Sequence, residues 1–336
     1  MNALKSRESM RKYRLIIPAL SVLGFSLFAM ALQPATAQSF PSRPLKMIVP
    51  FAPGGSTDVA GRILAAEMSN ILGQQIVVEN RAGAAGVIGI EAVARSAPDG
   101  YTMGISGMSP SVLAQISGPK PAFTNDELSF VGHAGIVEMI IVADPRSPYT
   151  TLKQAIDAAR DKPGSLTYGV GANGSMAHLA FELMKNLAKV DIRAVTYKGD
   201  GPAMSDLVAG HIPFASVSVA GALPLVSGGK ARALAVMSGS RSPAMPDVPT
   251  VAEAGLPGFE ATTFNLLAVA AKTPPAVVAR LNAALNEAMG KVAVRNRFVE
   301  MGMVPVLNTP QQTTDLVAKE MVKWAAVIKQ ANIPKQ

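Results

Sequence analysis

The sequence predicts an α/β protein made of open, largely parallel sheets with helices on both faces. From residue 45 onward, short apolar runs alternate with longer segments of helical periodicity, which is the pattern of successive β-α-β units. Glycine-bearing turns separate most of these strands from the helix that follows. The chain has 336 residues, of which 49% are hydrophobic, so it can bury the cores of roughly two domains.

The first half of the chain begins with the apolar run LKMIVPF, which is typical of a short buried strand. The helix after it ends at Gly73, and the glycine-rich helix that comes next is closed by the turn Pro98-Asp99-Gly100. The run VEMIIVA is the most apolar strand of this half. The predicted strands are 45–51, 75–79, 101–106 and 137–143, and the predicted helices are 58–72 and 84–95.

The second half repeats the alternation and adds clear helix starts. Thr151 and Gln154 have the spacing of a capping box. Thr273 and Thr309 each precede proline, which predicts an N-cap at each position, followed by proline in the first helical turn. The predicted strands are 166–170, 192–197, 212–218, 233–237 and 264–270, and the predicted helices are 151–161, 175–187, 202–209, 274–290 and 311–330.

The composition excludes several classes of protein. Cysteine is absent, which rules out disulfide scaffolds, iron–sulfur clusters and thiol nucleophiles. The three histidines, His133, His178 and His211, are far apart in sequence, so we expect no multi-histidine metal site. Lys and Arg are dispersed, without a basic run interleaved with aromatic residues, so we expect no nucleic-acid partner.

The N-terminus has the features of an export signal. Residues 1–14 are basic, residues 15–32 carry no charge, and Ala35 and Ala37 fit the small-residue rule for cleavage after Ala37. The alternative is a membrane anchor, since 18 apolar residues nearly span a bilayer. Residues 1–37 hold five of the 31 basic and one of the 23 acidic residues, so the chain without them has a net charge of +4.

The strongest local signal is a glycine-rich turn that leaves the first strand and enters the first helix. Glycines permit a close approach of backbone to ligand, and the helix N-terminus offers unpaired N–H groups and partial positive charge. The alternative is a simple N-cap by Thr57 or Asp58. The candidate anion-binding residues are Pro53, Gly54, Gly55, Ser56, Thr57 and Asp58.

Three further glycine-bearing turns follow predicted strands, at Ser106-Gly107, at residues 169–175 and at residues 196–202. Because open α/β sheets bind ligands at the carboxyl ends of their strands, we expect these turns to share one site. His178 lies one turn into the next helix, where it either contacts ligand or packs and caps. The candidates from these turns are Ser106, Gly107, Asn173, Gly174, Ser175, His178, Tyr197 and Gly199.

Motifs for catalysis and cofactor binding are missing from the sequence. It has no GxxxxGK[ST] phosphate loop and no GxSxG with suitable triad partners. The segment GAAGVIG at 83–89 lies inside a helix-like stretch and does not predict a dinucleotide site. We therefore expect a protein that is not an enzyme and that uses neither cofactor nor metal.

Several blocks, in order, resemble the substrate-binding proteins of tripartite tricarboxylate transporters, the Bug family. They cover nearly all of the chain after residue 40. The blocks are residues 41–105, which include VPFAPGGSTDVAGR, and LTYGVGANGSMAHLAFELMK (166–185), VTYKGDGPAMSDLVAGHI (195–212), GGKARALAV (228–236), RSPAMPDVPTVAEAGLPGFE (241–260) and TPPAVVARLNAALNEAM (273–289).

The resemblance implies a type II periplasmic-binding-protein fold, in which two α/β lobes are joined by two crossovers with a ligand cleft between them. The crossovers would lie near 140–144 and 266–270. Lobe 1 would then be residues 38–140 plus 268–336, and lobe 2 residues 141–267. It also implies a periplasmic monomer that captures a small carboxylate, such as a di- or tricarboxylate, an amino acid or an aromatic acid.

The resemblance further implies that the four turns form the ligand site and that a two-subunit membrane permease receives the ligand. One departure is visible at Val217, where the family usually carries Asp. It indicates either a ligand with an apolar or aromatic middle or a harmless variation.

Two other functions would use the same fold. A tetrapyrrole-synthase-like enzyme would need a cofactor-bearing cysteine, which the chain lacks. A sensor that signals to a membrane partner stays open, because the sequence does not separate sensing from transport.

Overall fold

The computed structural model describes residues 40–51, 53, 56–116, 121–171, 173–197 and 199–330. The export segment and the candidates Gly54 and Gly55 lie outside these ranges. Strand β1 (Leu45–Val49) leads into helix α1 (Ser56–Leu72), which is followed by β2 (Ile76–Asn80). A 3-10 turn (Ala84–Gly86) precedes α2 (Val87–Ala94), and β3 (Thr102–Gly107) completes the first parallel group.

The next part of the chain contains the longest strand among the described residues. A π-helical turn (Ser109–Leu113) runs into the short helix α3 (Ala114–Ile116), and a 3-10 turn (Asn125–Glu127) leads into β4 (Leu128–Ala143). This strand has 16 residues, whereas the sequence predicts only 137–143. Its first part carries Gly132, His133 and Gly135 and shifts register against its neighbour, so it lacks a clear strand pattern.

The second half of the protein continues as expected from α4 (Leu152–Asp161) to β5 (Leu166–Val170), α5 (Met176–Ala188) and β6 (Ile192–Thr196). Helix α6 (Asp200–Ala209), β7 (Phe214–Ser218), α7 (Val219–Ser227) and β8 (Arg232–Val236) follow. After a long connection come β9 (Thr262–Ala270), α8 (Pro275–Gly290), α9 (Val292–Glu300), β10 (Met303–Val304) and α10 (Pro310–Gln330).

Strand β4 joins two groups of strands into one path, with the order β2-β1-β3-β9-β4-β7-β5-β6. Its residues up to Glu138 pair with β9, and its residues from Met139 onward pair with β7. Strands β1–β3 and β5–β7 pair in parallel, but every pairing of β4 and β9 is antiparallel. The expected parallel sheets therefore hold only for the outer groups, because β4 and β9 connect the groups and do not belong to β-α-β units.

The two predicted crossovers lie at different positions relative to the strand pairings. Residues 140–144 lie just beyond the point where β4 changes partner. Residues 266–270 lie within β9, where Leu266 to Val269 pair with β3. The chain returns from the second group through residues 237–261, and Ala261 N–H donates to the carbonyl of Met237. The division into two lobes stays a prediction.

The helices are held by apolar stripes and caps. In α1, Ala60, Leu64 and Met68 are fully buried at a spacing of four residues, which is one face of a helix. The capping box of Thr151 and Gln154 is confirmed, and Gln312 N–H donates to Thr309 Oγ1 at 3.2 Å.

The predicted cap at Thr273 is wrong. Its hydroxyl donates to the carbonyl of Ala270 at 2.7 Å, and Pro274 occupies the N-cap position of α8 without a side-chain cap. The hydroxyl therefore closes the turn after β9 and does not face the helix.

Candidate ligand-binding site

A cavity of about 550 Å³ lies where several helices begin and where β4 meets β9. Its walls come from both groups of strands and combine small polar residues with large apolar ones. They are Phe51, Ser56, Thr57, Gly107, Met108, Ser109, Pro110, Val137, Met139, Gly171, Ser175, Met176, Ala177, Gly199, Asp200, Ser218, Thr263, Phe264 and Asn265.

The first polar edge of the cavity is formed by the start of α1 and the end of β3. Thr57 Oγ1 donates to Asn265 Oδ1 at 3.3 Å, which ties α1 to β9. Gly107 pairs with Asn265 in the sheet. A Cβ at Gly107 would lie 2.8 Å from the carbonyl oxygen of Phe264, so only glycine lets the two backbones come this close.

The second polar edge is formed by three helix starts. Ser175 caps α5 by accepting from His178 N–H at 3.3 Å, and Ser218 caps α7 by accepting from Gly221 N–H at 3.2 Å. Gly199, with φ of 108°, is the N-cap residue of α6. Helix N-termini carry partial positive charge and N–H donors, and at the start of α7 the Ser218 N–H already donates to the Asp200 carboxylate at 3.1 Å.

Electrostatically, the site is a backbone-built anion pocket. None of its described lining residues is Lys, Arg or His, and Asp200 is the one charged side chain among them. Attraction for an anion therefore comes from the starts of α1 and α5, with the serine and threonine hydroxyls beside them, because the Asp200 carboxylate already lies against the starts of α6 and α7.

Between the polar edges lies an apolar wall. Val137 and Met139 are two apart on β4 and so share one face of the strand. Met108, Met176 and Phe264 complete the wall. Thioether and aromatic groups adapt to irregular apolar shapes, so the cavity suits a ligand with polar ends and an apolar middle.

Three predicted residues of the first half, Pro53, Asp58 and Ser106, lie outside the described lining of the cavity. Asp58 is buried and accepts from Arg62 Nε at 3.0 Å and from Asn80 Nδ2 at 2.8 Å. The same Asn80 Nδ2 donates to the carbonyl of Phe51 at 3.0 Å. Ser106 is buried in a hydrogen bond with Ser111, and Pro53 is exposed in a turn.

The predicted residues of the second half divide in the same way. Ser175 and Gly199 line the cavity, whereas Asn173, Gly174, His178 and Tyr197 are not among its described lining residues. His178 Nδ1 accepts from Gly174 N–H at 3.0 Å. Burial lowers the pKa of His178, and the Glu182 carboxylate acts in the opposite direction. The neutral imidazole therefore holds the turn before α5.

Tyr197 and Val217 have contacts away from the cavity. The Tyr197 hydroxyl donates to Asp206 Oδ2 at 2.7 Å, and burial together with this carboxylate raises its pKa to about 12. Val217 is fully buried, pairs with Ile140 and belongs to an apolar cluster with Leu207 and Ile212. Its side chain therefore gives no information about the ligand.

The sequence reasoning missed the lining residues that lie inside strands. Thr263, Phe264 and Asn265 are more than 150 residues from the glycine turn after β1, so no local pattern connects them. Val137 and Met139 show a usable signal, because residues two apart in a strand share a face. Asp200 lies inside the YKGDG turn at residues 197–201, where a lone acidic residue has no sequence signal that separates a ligand contact from a helix cap.

A second cavity, of about 700 Å³, lies between the start of β4 and helices α8 and α10. Both helices begin there with proline, Pro275 and Pro310. Proline has no N–H, so each start offers one donor fewer than α1, α5 and α7, although α6 also has a proline, Pro202, in its first turn. The smaller cavity is therefore the better candidate for an anionic ligand.

Comparison with known proteins identifies the family of this chain. The family model described as "tripartite tricarboxylate transporter family receptor" matches residues 60–333. The chain belongs to this family. This is a family of receptors and not of enzymes. Among relatives, BugT of Bordetella pertussis strain Tohama I is 38% identical over 314 residues, covering 93% of this chain and 96% of that protein.

Solved structures of similar proteins have the same fold. R. palustris Rpa4515, solved with adipate, matches with a TM-score of 0.78 at 32% identity, over 88% of this chain and 99% of that one. MatC from Rhodopseudomonas palustris, solved with bound malate, matches with a TM-score of 0.73 at 32% identity, over 86% and 100%. The periplasmic binding protein BugD matches with a TM-score of 0.74 at 30% identity, over 88% and 100%.

This receptor therefore has the α/β fold of periplasmic binding proteins and is a Bug-family member. Within the described ranges, no helix is both long and apolar enough to cross a membrane.

Proposed function

We propose that this receptor captures a small organic carboxylate in the periplasm and delivers it to a two-subunit membrane permease. The observation that carries the proposal is the cavity of about 550 Å³, around which four helices begin while the described lining holds no basic side chain. Two related proteins were solved with dicarboxylates, adipate and malate, which supports the ligand class.

Backbone donors can supply the required affinity. A hydrogen bond to a charged group contributes about 1.5–3 kcal/mol, so two or three bonds to one carboxylate give substantial binding. Ser56 is the first residue of α1 and lines the cavity. We expect its hydroxyl and the neighbouring N–H groups to hold the carboxylate, together with Thr57 and Gly107, and we expect Ser175 and Gly199 to contact the rest of the ligand. The sequence candidates Gly54 and Gly55 belong to the same proposal.

We also propose that two lobes close on the ligand, because the polar edges of the cavity come from different groups of strands. A ligand held by one edge alone stays in contact with water, so its hydrogen bonds give little net gain. The ligand would stabilise the closed form through its higher affinity for that form. The permease would then recognise the closed form. Export would remove residues 1–37, and N-terminal sequencing of the periplasmic protein should begin at Gln38.

The proposal is tested by a thermal-shift screen of mono-, di- and tricarboxylic acids, amino acids and aromatic acids, with the matching primary amides as controls. An acid at 100 times its dissociation constant should add about 2.7 kcal/mol of stability, and its amide should add none. The screen contradicts the proposal if no acid stabilises the protein, or if the amides do so equally.

A matched pair of variants then connects the binding to the cavity. Ser56→Ala removes a hydroxyl from the lining, and Ser227→Ala removes one from the exposed end of α7. Loss of one hydrogen bond to a charged group should weaken binding at least about tenfold in the first variant. The second variant should bind like the wild type. Equal affinities in all three proteins would place the acid elsewhere.

A further inference from the structure

We propose that Asp200 makes this receptor selective for carboxylates that carry an ammonium group at the opposite end, in preference to dicarboxylates of the same length. The inference rests on the proposed function and specifies its substrate class. The observation behind it is the placement of a single acidic side chain in a cavity whose described lining holds no other charge.

Hydrogen bonds to one oxygen of its carboxylate hold Asp200 in position. It is the first residue of α6 and is partly exposed to the cavity. Its Oδ2 accepts from the backbone N–H of Ser218 at 3.1 Å and from Ser218 Oγ at 3.0 Å. Two bonds to one oxygen hold the carboxylate against the start of α7.

The other oxygen of this carboxylate, Oδ1, has no hydrogen-bond partner among the described residues. No basic side chain in the described part of the chain forms an ion pair with Asp200. Gly171, another lining residue, lies beside this oxygen, since a Cβ there would be only 2.7 Å from Oδ1. Lys230 lines a separate cavity of about 430 Å³ that Asp200 also borders, but the two form no ion pair.

A carboxylate oxygen only accepts hydrogen bonds, whereas an ammonium group only donates them. An ammonium group near Asp200 therefore gains a charge-assisted hydrogen bond, while a second carboxylate is repelled by its like charge. The ligand carboxylate would occupy the opposite edge, at the start of α1. The apolar wall of Met108, Met139 and Met176 fits a methylene chain or a ring between the two charges.

The test uses pairs of equal-length probes, 6-aminohexanoate with adipate and 4-aminobutanoate with succinate, and isothermal titration calorimetry. The wild type should bind at least one aminocarboxylate tenfold or more tightly than its dicarboxylate partner. Asp200→Asn keeps an oxygen that can accept from Ser218 and places an amide donor toward the cavity. This variant should lose the preference or reverse it.

Asp161→Asn is the control, because it removes the same charge from the exposed end of α4 and should leave the ratio unchanged. A wild-type preference for the dicarboxylates, a ratio unaffected by Asp200→Asn, or no binding of any of the four probes would each overturn the inference. The ratio of the two affinities is measured on the wild type, so this part of the test stands even if a variant does not fold. If other acids from the screen still bind, the proposed function stands without this selectivity.

Discussion

The backbone N–H of Gly174 donates a hydrogen bond of 3.0 Å to Nδ1 of His178. The contact requires that Nδ1 carry no proton, and it sets the turn that leads to Ser175 at the cavity. Tyr168, Glu182 and Lys185 are the titratable side chains packed around this imidazole. The pKa of His178 is lowered from 6.5, mainly by burial, so the contact is intact at neutral pH.

Ligand affinity should therefore weaken as pH falls through the pKa of His178, which burial places below the ordinary value of about 6.5, because a protonated Nδ1 cannot accept from Gly174. His178→Phe should bind the tightest acid of the screen more weakly at neutral pH and show a flatter pH profile. His211→Asn, at an exposed histidine, should keep the wild-type profile. Titrations at pH 7.5 and 5.5 measure this, and parallel profiles for wild type and His178→Phe would contradict it.

Stability should fall with acid because of His133. Burial lowers the pKa of His133 to about 4, against 6.5 for the free side chain. The unfolded chain therefore binds a proton that the folded protein does not, so stability is full above pH 6.5 and declines toward pH 4. The loss for this group is at most about 3 kcal/mol.

His133→Asn retains an acceptor for the Gly135 N–H but does not titrate. Urea unfolding at pH 7.5 and 4.5 should show a smaller loss of stability with acid in this variant than in the wild type. An equal loss in both proteins would mean that His133 is not responsible.

Glu138 should change the stability with pH in the opposite direction to His133. It is buried at the point where β4 changes partner, Ser238 Oγ donates to its Oε1 at 2.9 Å, and Oε2 has no partner among the described residues. Burial raises the pKa of this carboxyl group. Its contribution to stability is therefore present below the ordinary pKa and is lost as pH rises through the raised value.

Glu138→Gln keeps the acceptor for Ser238 and removes the charge. The variant should be more stable than the wild type at pH 8, by about 1–3 kcal/mol for a buried unsatisfied charged group, and the gap should close toward pH 5. Unfolding free energies at both pH values test this. A variant less stable than the wild type at pH 8 would refute the prediction.

Gly107→Ala should destabilise the protein by about 1–3 kcal/mol, because its Cβ would lie 2.8 Å from the carbonyl oxygen of Phe264. Gly201→Ala is the matched control, since nothing lies within 4 Å of its Cβ. Its position in α6 predicts a gain of roughly 0.5–1 kcal/mol. Denaturant midpoints for both variants measure the difference, and equal midpoints would show that β3 and β9 adapt to the extra atom.

The fold was predictable for the elements whose sequence signal is local. The helix from Thr151 begins as its capping box predicts, because its signal lies within four residues. The central antiparallel strands were not predictable in the same way, since the pairing of β4 with β9 joins segments far apart in sequence. The helix over Val219–Ser227 was also missed, and it contains Pro224.

The site was predictable where it follows strand ends. Ser56, Gly107 and Ser175 lie at the cavity because turns at strand ends converge in open sheets. His178, in the first turn of α5, has a supporting position that only the packing of this helix reveals. The apolar wall from β4 and β9 depends on which faces of these strands meet. No local sequence pattern predicts that, because the two strands are far apart in the chain.

The most direct test of the central claim is a crystal structure of the protein with the tightest-binding acid of the screen. The account predicts the ligand in the cavity between Ser56 and Asp200, with a carboxylate at hydrogen-bond distance from the start of α1. A ligand in the cavity between α8 and α10, or a carboxylate held only by Lys or Arg side chains, would contradict it.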